Sequence, residues 1–188
     1  GDNNIVVAGG MENMSMIPHY LSNSRKGQKL GDMKLIDGLV KDGLTDIYSK
    51  SHMGNCAELC AKDMNISREE QDIFAINSYD RSSKAWSNGN FNDEVVSIEI
   101  PQRKGDAIIF KEDEEYKNIK KEKISQLRPV FDKEGTITAA NASTLNDGAA
   151  AVLLMSLDMA QKLNIKPIAK IISYADAAQN PEWFTTAP

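Results

Sequence analysis

Thr138-Ala139-Ala140-Asn141-Ala142-Ser143-Thr144-Leu145-Asn146-Asp147-Gly148-Ala149-Ala150 is a small-sided stretch that feeds straight into the apolar run over residues 149–155. Small side chains let a ligand touch backbone. They equally let strands pack tightly, and both readings stand at this point. The run that follows is continuous rather than alternating, which suits a strand buried on both faces. Residues 156–163 then read as a short helix and residues 168–174 as another strand. Strand, helix and strand in that order predict a parallel layer.

Far upstream, Ile5-Val6-Val7-Ala8 is a second continuous apolar run, halted at Gly9-Gly10. Residues 11–47 read as loop with short helices, because Pro18, Gly27, Gly31, Gly38 and Gly43 break any long periodicity. Cys56, Ala57, Leu59, Cys60 and Met64 fit one helical stripe. Ser67-Arg68-Glu69-Glu70 is a capping-box match, opening a helix that carries Ile73, Phe74, Ile76 and Tyr79 and ends near Asn88-Gly89. Val96, Ile98 and Ile100 alternate as a half-buried strand, and the turn Arg103-Lys104-Gly105-Asp106 leads into an apolar return, predicting a hairpin. Residues 111–123 carry both charges densely and read as solvent-facing. The two ends thus resemble core sheet, and the middle, roughly residues 12–143, reads as a long insertion in a larger α/β fold.

Composition narrows the function classes. Apolar residues make up 41% and the 12 glycines among 188 residues add about 6%, inside the globular range of roughly 45–50%. No run approaches the ~18 apolar residues of a membrane helix, and the first residues carry no secretory pattern. A net charge of −5 argues against nucleic-acid binding, which rests on a basic face. Two cysteines, Cys56 and Cys60, are too few for a disulfide framework or a zinc site. That usage fits a reducing compartment, cytosol or organelle matrix. On one helical face and without a basic setting, both cysteines read as packing residues rather than nucleophiles.

The sequences Ala8-Gly9-Gly10-Met11-Glu12-Asn13-Met14-Ser15, His52-Met53-Gly54 and the small-sided stretch over residues 138–150 together resemble the thiolase family. Lys41-Asp42-Gly43-Leu44-Thr45-Asp46, Glu112-Asp113-Glu114-Glu115-Tyr116 and Tyr174-Ala175-Asp176-Ala177-Ala178 resemble its acetoacetyl-CoA branch, biosynthetic and mitochondrial. The resemblance implies a partial thiolase-like α/β fold: a loop domain with helices and a β-hairpin, flanked by strands of the first core half and the start of the second. Residues 1–11 would end a core strand and residues 12–143 would form the CoA-holding loop domain. Residues 144–163 would complete the first half and 164–188 begin the second. It further implies a Claisen condensation of two acetyl-CoA to acetoacetyl-CoA and CoA, with the reverse thiolysis. The catalytic machinery is two cysteines, a histidine and an asparagine-held water. Those motifs would lie before Gly1 and beyond Pro188, so no catalytic residue is expected in this chain, and the chain alone is expected to be inactive. The alternatives are a general 3-ketoacyl-CoA thiolase, or a non-catalytic CoA-binding or assembly module.

Site residues follow from the resemblance, each beside a plainer reading. His52 and Met53 match a pair at the acyl end of the pantetheine channel, with Met as an adaptable apolar wall; otherwise His52 is a loop histidine with one backbone hydrogen bond, as His19 is taken to be. Ala139 and Ser143 match CoA contacts, the serine offering its hydroxyl to a pantetheine amide. Asn118, Ile119, Lys120 and Lys123 match adenine and phosphate contacts, although the family often has arginine where Asn118 stands; otherwise they belong to a solvated charged surface. Tyr79, Ala139, Ala140 and Ala142 match the oxygens around a bound K⁺ in potassium-activated members. The plain reading of Tyr79 is an amphipathic helix tyrosine. No redox cofactor, nucleic acid or membrane is expected. The full-length protein would be a homotetramer acting on acyl-CoA, cytoplasmic in a bacterium or in the mitochondrial matrix of a eukaryote.

Overall fold

In a computed structural model, which describes residues 3–188, the two apolar runs at the ends of the chain meet. Strand β1 (Ile5–Glu12) pairs antiparallel with β6 (Gly148–Met155) in a continuous register from Ile5 opposite Met155 to Glu12 opposite Gly148. Gly9 does not stop β1 as its sequence suggests. A Cβ there would lie 2.6 Å from the Ala150 carbonyl oxygen, so glycine is what lets the strands approach closely. Both strands are open to solvent, with Val7 72% and Leu153 54% exposed. Their apolar patterning is that of a covered sheet, and the described residues provide no cover.

The predicted parallel layer is not formed. Ser156 caps helix α4 (Leu157–Lys162) by accepting from the Met159 amide, but residues 168–174 form no strand and Ile172 is 82% exposed. A strand needs a neighbour for its N–H and C=O groups, and the described residues offer this segment none. Residues 11–47 are largely loop with short helical turns, as expected, the first at Ser24–Lys26, but they are not without strands. They hold a short antiparallel pair, β2 (His19–Leu21) with β3 (Leu35–Asp37), followed by a π-helical turn at Leu39–Gly43. Three-residue strands are too short to leave an alternating pattern.

The helices fall where periodicity puts them. Helix α1 spans Met53–Asp63 and α2 spans Arg68–Ser87 behind the Ser67 cap. α2 terminates at Asn88 and at Gly89, whose φ of 71° suits glycine. Its inward face differs from the expected one. Ile73 and Phe74 are exposed, while Asp72 and Ala75 are buried and Arg68 and Tyr79 half-buried. Positions 68, 72, 75 and 79 form one helical stripe, and it is largely polar. The predicted hairpin is present as β4 (Ile98–Ile100) and β5 (Ile108–Phe110). All six of its strand residues are exposed rather than half-buried.

The contacts divide the chain into two compact units. One comprises the residues up to Cys56 with those from Thr144 onward, the other Ala57–Ser143. The second holds most of the core: Ile124, 1% exposed, and Thr138, fully buried, with Ala61, Ala75, Ile137 and Ala140. No helix among the described residues is long and apolar enough to cross a membrane.

Candidate functional site

The Ala57–Ser143 unit is organised around the first two turns of α2. Ser67 Oγ accepts from the Glu70 amide at 3.2 Å, and Glu70 Oε2 accepts from the Ser67 amide at 2.8 Å, closing the capping box. The Ser67 amide, more than its hydroxyl, holds the Glu70 carboxyl below its usual range. Just inside the cap, Arg68 Nε donates to Asp72 Oδ2 at 2.8 Å. The other two guanidinium nitrogens donate to the carbonyls of Ile124 at 2.7 Å and Leu127 at 3.1 Å. Those carbonyls lie in the last turn and at the C-cap of a 3-10 helix, Lys121–Gln126, where a cation is well placed; the Ile124 carbonyl also accepts from the Leu127 amide.

Asp72 holds a second element with its other oxygen. Oδ1 accepts from Asn141 Nδ2 at 3.1 Å, and the same amide nitrogen reaches the Thr136 carbonyl at 3.0 Å. Asn141 Oδ1 accepts from the Thr138 amide at 2.7 Å, and the Ala142 amide donates to the Thr138 carbonyl at 3.0 Å. Asn141 therefore staples the alanine stretch into a single turn. Glu58 on α1 steadies the strand-like approach to it, accepting from the amides of Thr136 and Ile137 at 2.7–2.9 Å and from the Thr136 hydroxyl at 3.1 Å.

The turn leaves distinctive groups free. Ala139 and Ser143 are exposed, Ala142 half-buried and Ala140 buried. Among the described residues, the carbonyls of Ala139, Ala140 and Ala142 accept no hydrogen bond. Carbonyls presented in this way are available to water, to a ligand's donor or to a cation.

Tyr79 lies one helical turn beyond Ala75, and its hydroxyl is 3.4 Å from Glu115 Oε1 on α3 (Glu115–Asn118). Burial, followed by the Glu115 charge, pushes its phenol pKa up, so it stays neutral at ordinary pH. The charged segment around α3 sorts into two sets. Lys117 pairs with Glu112 at 2.8 Å, Lys121 pairs with Asp80, and the Tyr116 hydroxyl binds Glu112. Lys120 and Lys123 are exposed and, among the described residues, carry no ion pair. Asn118 is exposed and Ile119 half-buried.

His52 and Met53 belong to the other unit. His52 Nδ1 accepts from the Gly54 amide at 3.0 Å, at the start of α1, and Met53 N donates to the Leu44 carbonyl at 2.8 Å. The Gly54 contact makes Nδ1 an acceptor. Cys56 is buried and Cys60 half-buried. Burial, with smaller contributions from Asp46 and Glu182, pushes the Cys56 thiol up, the reverse of an activated nucleophile. Among the described residues no group of three or more His, Cys, Asp and Glu is placed to hold a metal. A set of phenol and carbonyl oxygens would suit only a hard, weakly held cation.

Sequence reasoning placed Tyr79, the lysines and the alanine turn, and all of these fall in the Ala57–Ser143 unit. It missed Arg68, Asp72, Glu58 and the side-chain role of Asn141. The i,i+4 spacing of Arg68 and Asp72 behind the cap was an available signal, as was the local turn bond of Asn141; the reach of Glu58 to Thr136 and of Asn141 to Asp72 is one no local pattern reveals.

Comparison with known proteins matches residues 1–158 to the family described as Thiolase, N-terminal domain. The whole chain aligns with mitochondrial acetyl-CoA acetyltransferase of Bos taurus at 54% identity, spanning 44% of that protein. It aligns at 51% with the cytosolic acetyl-CoA acetyltransferase ERG10 of Gibberella zeae, spanning 48% of it. The crystal structure of Acat5 thiolase from Ascaris suum in complex with coenzyme A superposes with a TM-score of 0.89 at 46% identity, over all of this chain and 47% of that one. The chain thus spans less than half the length of the relatives it matches.

Proposed function

The chain belongs to the thiolase family, and from that premise we propose that it supplies the coenzyme A-holding part of an acetyl-CoA C-acetyltransferase. The reaction is the condensation of two acetyl-CoA to acetoacetyl-CoA and CoA, and its reverse. The catalytic cysteines would come from outside these 188 residues, so the chain alone is inactive. Residues 12–143 act as the loop domain, residues 1–11 and 144–163 as parts of the first core half, and residues 164–188 as the start of the second.

The observation that carries the reading is the turn pinned by Asn141, with three carbonyls left without donors. Ala139 and Ser143 contact pantetheine there, and His52 and Met53 line the acyl end. Lys120 and Lys123, unpaired among the described residues, attract the nucleotide phosphates, with Asn118 and Ile119 against the adenine. Tyr79 and the carbonyls of Ala139, Ala140 and Ala142 hold K⁺, which would order the turn. A CoA complex of a 46% identical thiolase and the names of the relatives support the substrate class. The full-length protein is a homotetramer without redox cofactor, working in cytoplasm or mitochondrial matrix.

The test is thiolysis by the full-length protein. Cleavage of acetoacetyl-CoA in preference to longer 3-ketoacyl-CoA is expected. Preference for longer chains would reassign it to general 3-ketoacyl-CoA thiolases, and CoA binding without any cleavage would make it a non-catalytic module.

A further inference from the structure

Two elements assigned to coenzyme A converge on one partly buried ion pair. The 3-10 helix Lys121–Gln126 includes Lys123 and follows directly on Lys120, and its last carbonyls are gripped by Arg68. The alanine turn is gripped by Asn141, which hangs on Asp72. Arg68 and Asp72 bind each other at 2.8 Å, with side chains 24% and 8% exposed. Asp72 spends one oxygen on each neighbour, and Arg68 spends all three nitrogens. Every guanidinium nitrogen and both carboxylate oxygens are thus already engaged within the protein. A partly buried pair of this kind is weak as a source of net stability, and here its remaining bonds tie down two separate segments.

We propose that Arg68, Asp72 and Asn141 are positioning residues that set the nucleotide-binding segment and the pantetheine-binding turn at a fixed mutual geometry, so that one CoA molecule meets both. This rests on the CoA-holding reading above. The set is organised by arm. Arg68 acts on the lysine-bearing segment, because its Nη atoms clamp Ile124 and Leu127. Asn141 acts on the turn. Asp72 joins them. An Arg→Lys change at position 68 keeps a cation for Asp72 but cannot reach two further carbonyls with one compact ammonium.

The arms give the test a readout that loss of stability would not mimic. Full-length wild type, Arg68→Lys and Asn141→Ala are compared on acetoacetyl-CoA and on acetoacetyl-pantetheine, which lacks the nucleotide. For Arg68→Lys the KM for acetoacetyl-CoA rises about tenfold while kcat and the KM for acetoacetyl-pantetheine stay near wild type. For Asn141→Ala the KM rises for both substrates. Equal changes on both substrates for Arg68→Lys, or none on either for both variants, would overturn the proposal. Wild type that turns over neither substrate and binds no CoA would instead remove the functional reading on which it rests.

Discussion

The Glu58 carboxylate fills the space that a side chain on Gly135 would need: a Cβ there would lie 2.3 Å from Glu58 Oε1 and 3.0 Å from the Asp132 carbonyl oxygen. The two residues are a matched pair across the unit. Glycine at 135 admits a carboxylate that accepts from two backbone amides and a hydroxyl.

Gly135→Ala therefore displaces Glu58 and strips the Thr136 and Ile137 amides of their acceptor. Hydrogen bonds to a charged group contribute about 1.5–3 kcal/mol, and a loss of that order is expected. Comparison of urea midpoints for the full-length protein and the variant checks it. Glu58→Ala should cost a similar amount, and in the Glu58→Ala background the further Gly135→Ala change should add little.

The Ser67 cap gives a pH-dependent prediction. Ser67→Ala is expected to cost about 1 kcal/mol at neutral pH. The Glu70 carboxyl is held low by the Ser67 amide, so the folded state binds its proton more weakly than the unfolded one. Its contribution is present above the ordinary glutamate range near 4.3 and is lost as pH falls through the lower folded value. Stability curves for Glu70→Gln and wild type should converge on acidification below about pH 4. Curves that stay parallel would refute the box.

The open sheet predicts association. The chain exposes 15891 Å², against about 9,000 Å² for a compact monomer of this length. Part of the excess is apolar surface on β1, β6 and residues 168–174. Produced as these 188 residues alone, the chain is expected to self-associate at micromolar concentration. Sedimentation as a monomer at high concentration would contradict this.

Potassium supplies a fourth prediction. If Tyr79 and the three alanine carbonyls hold the ion, KCl should raise the melting temperature of the full-length protein above its value in equimolar NaCl. Tyr79→Phe, which keeps the ring and removes the oxygen, should abolish the difference. A difference that survives the substitution would place the ion elsewhere.

What the sequence made legible was what short-range chemistry dictates. The capping box at Ser67 and the stop at Gly89 appear as read, because both are set within four residues. The runs at 5–8 and 149–155 announce strands, but pairing is a tertiary outcome, and the antiparallel partnership of β1 with β6 was not readable. Residues 168–174 carry strand propensity without a partner, so the propensity goes unrealised. On α2 the apolar residues Ile73 and Phe74 drew attention away from the true inward stripe, whose polar members, beyond the Arg68–Asp72 pair itself, are held by groups 36 to 69 positions away. The alanine turn and the lysines were found through resemblance; the side chains that fix them were not.

Coenzyme A is proposed to bind through the Lys120–Lys123 segment and the turn at residues 138–143. Amide hydrogen exchange of the full-length protein, with and without saturating CoA, tests it most directly. Slowed exchange is expected at residues 118–126 and 138–143, with the hairpin of β4 and β5 unchanged. CoA binding that leaves both segments unprotected would contradict it.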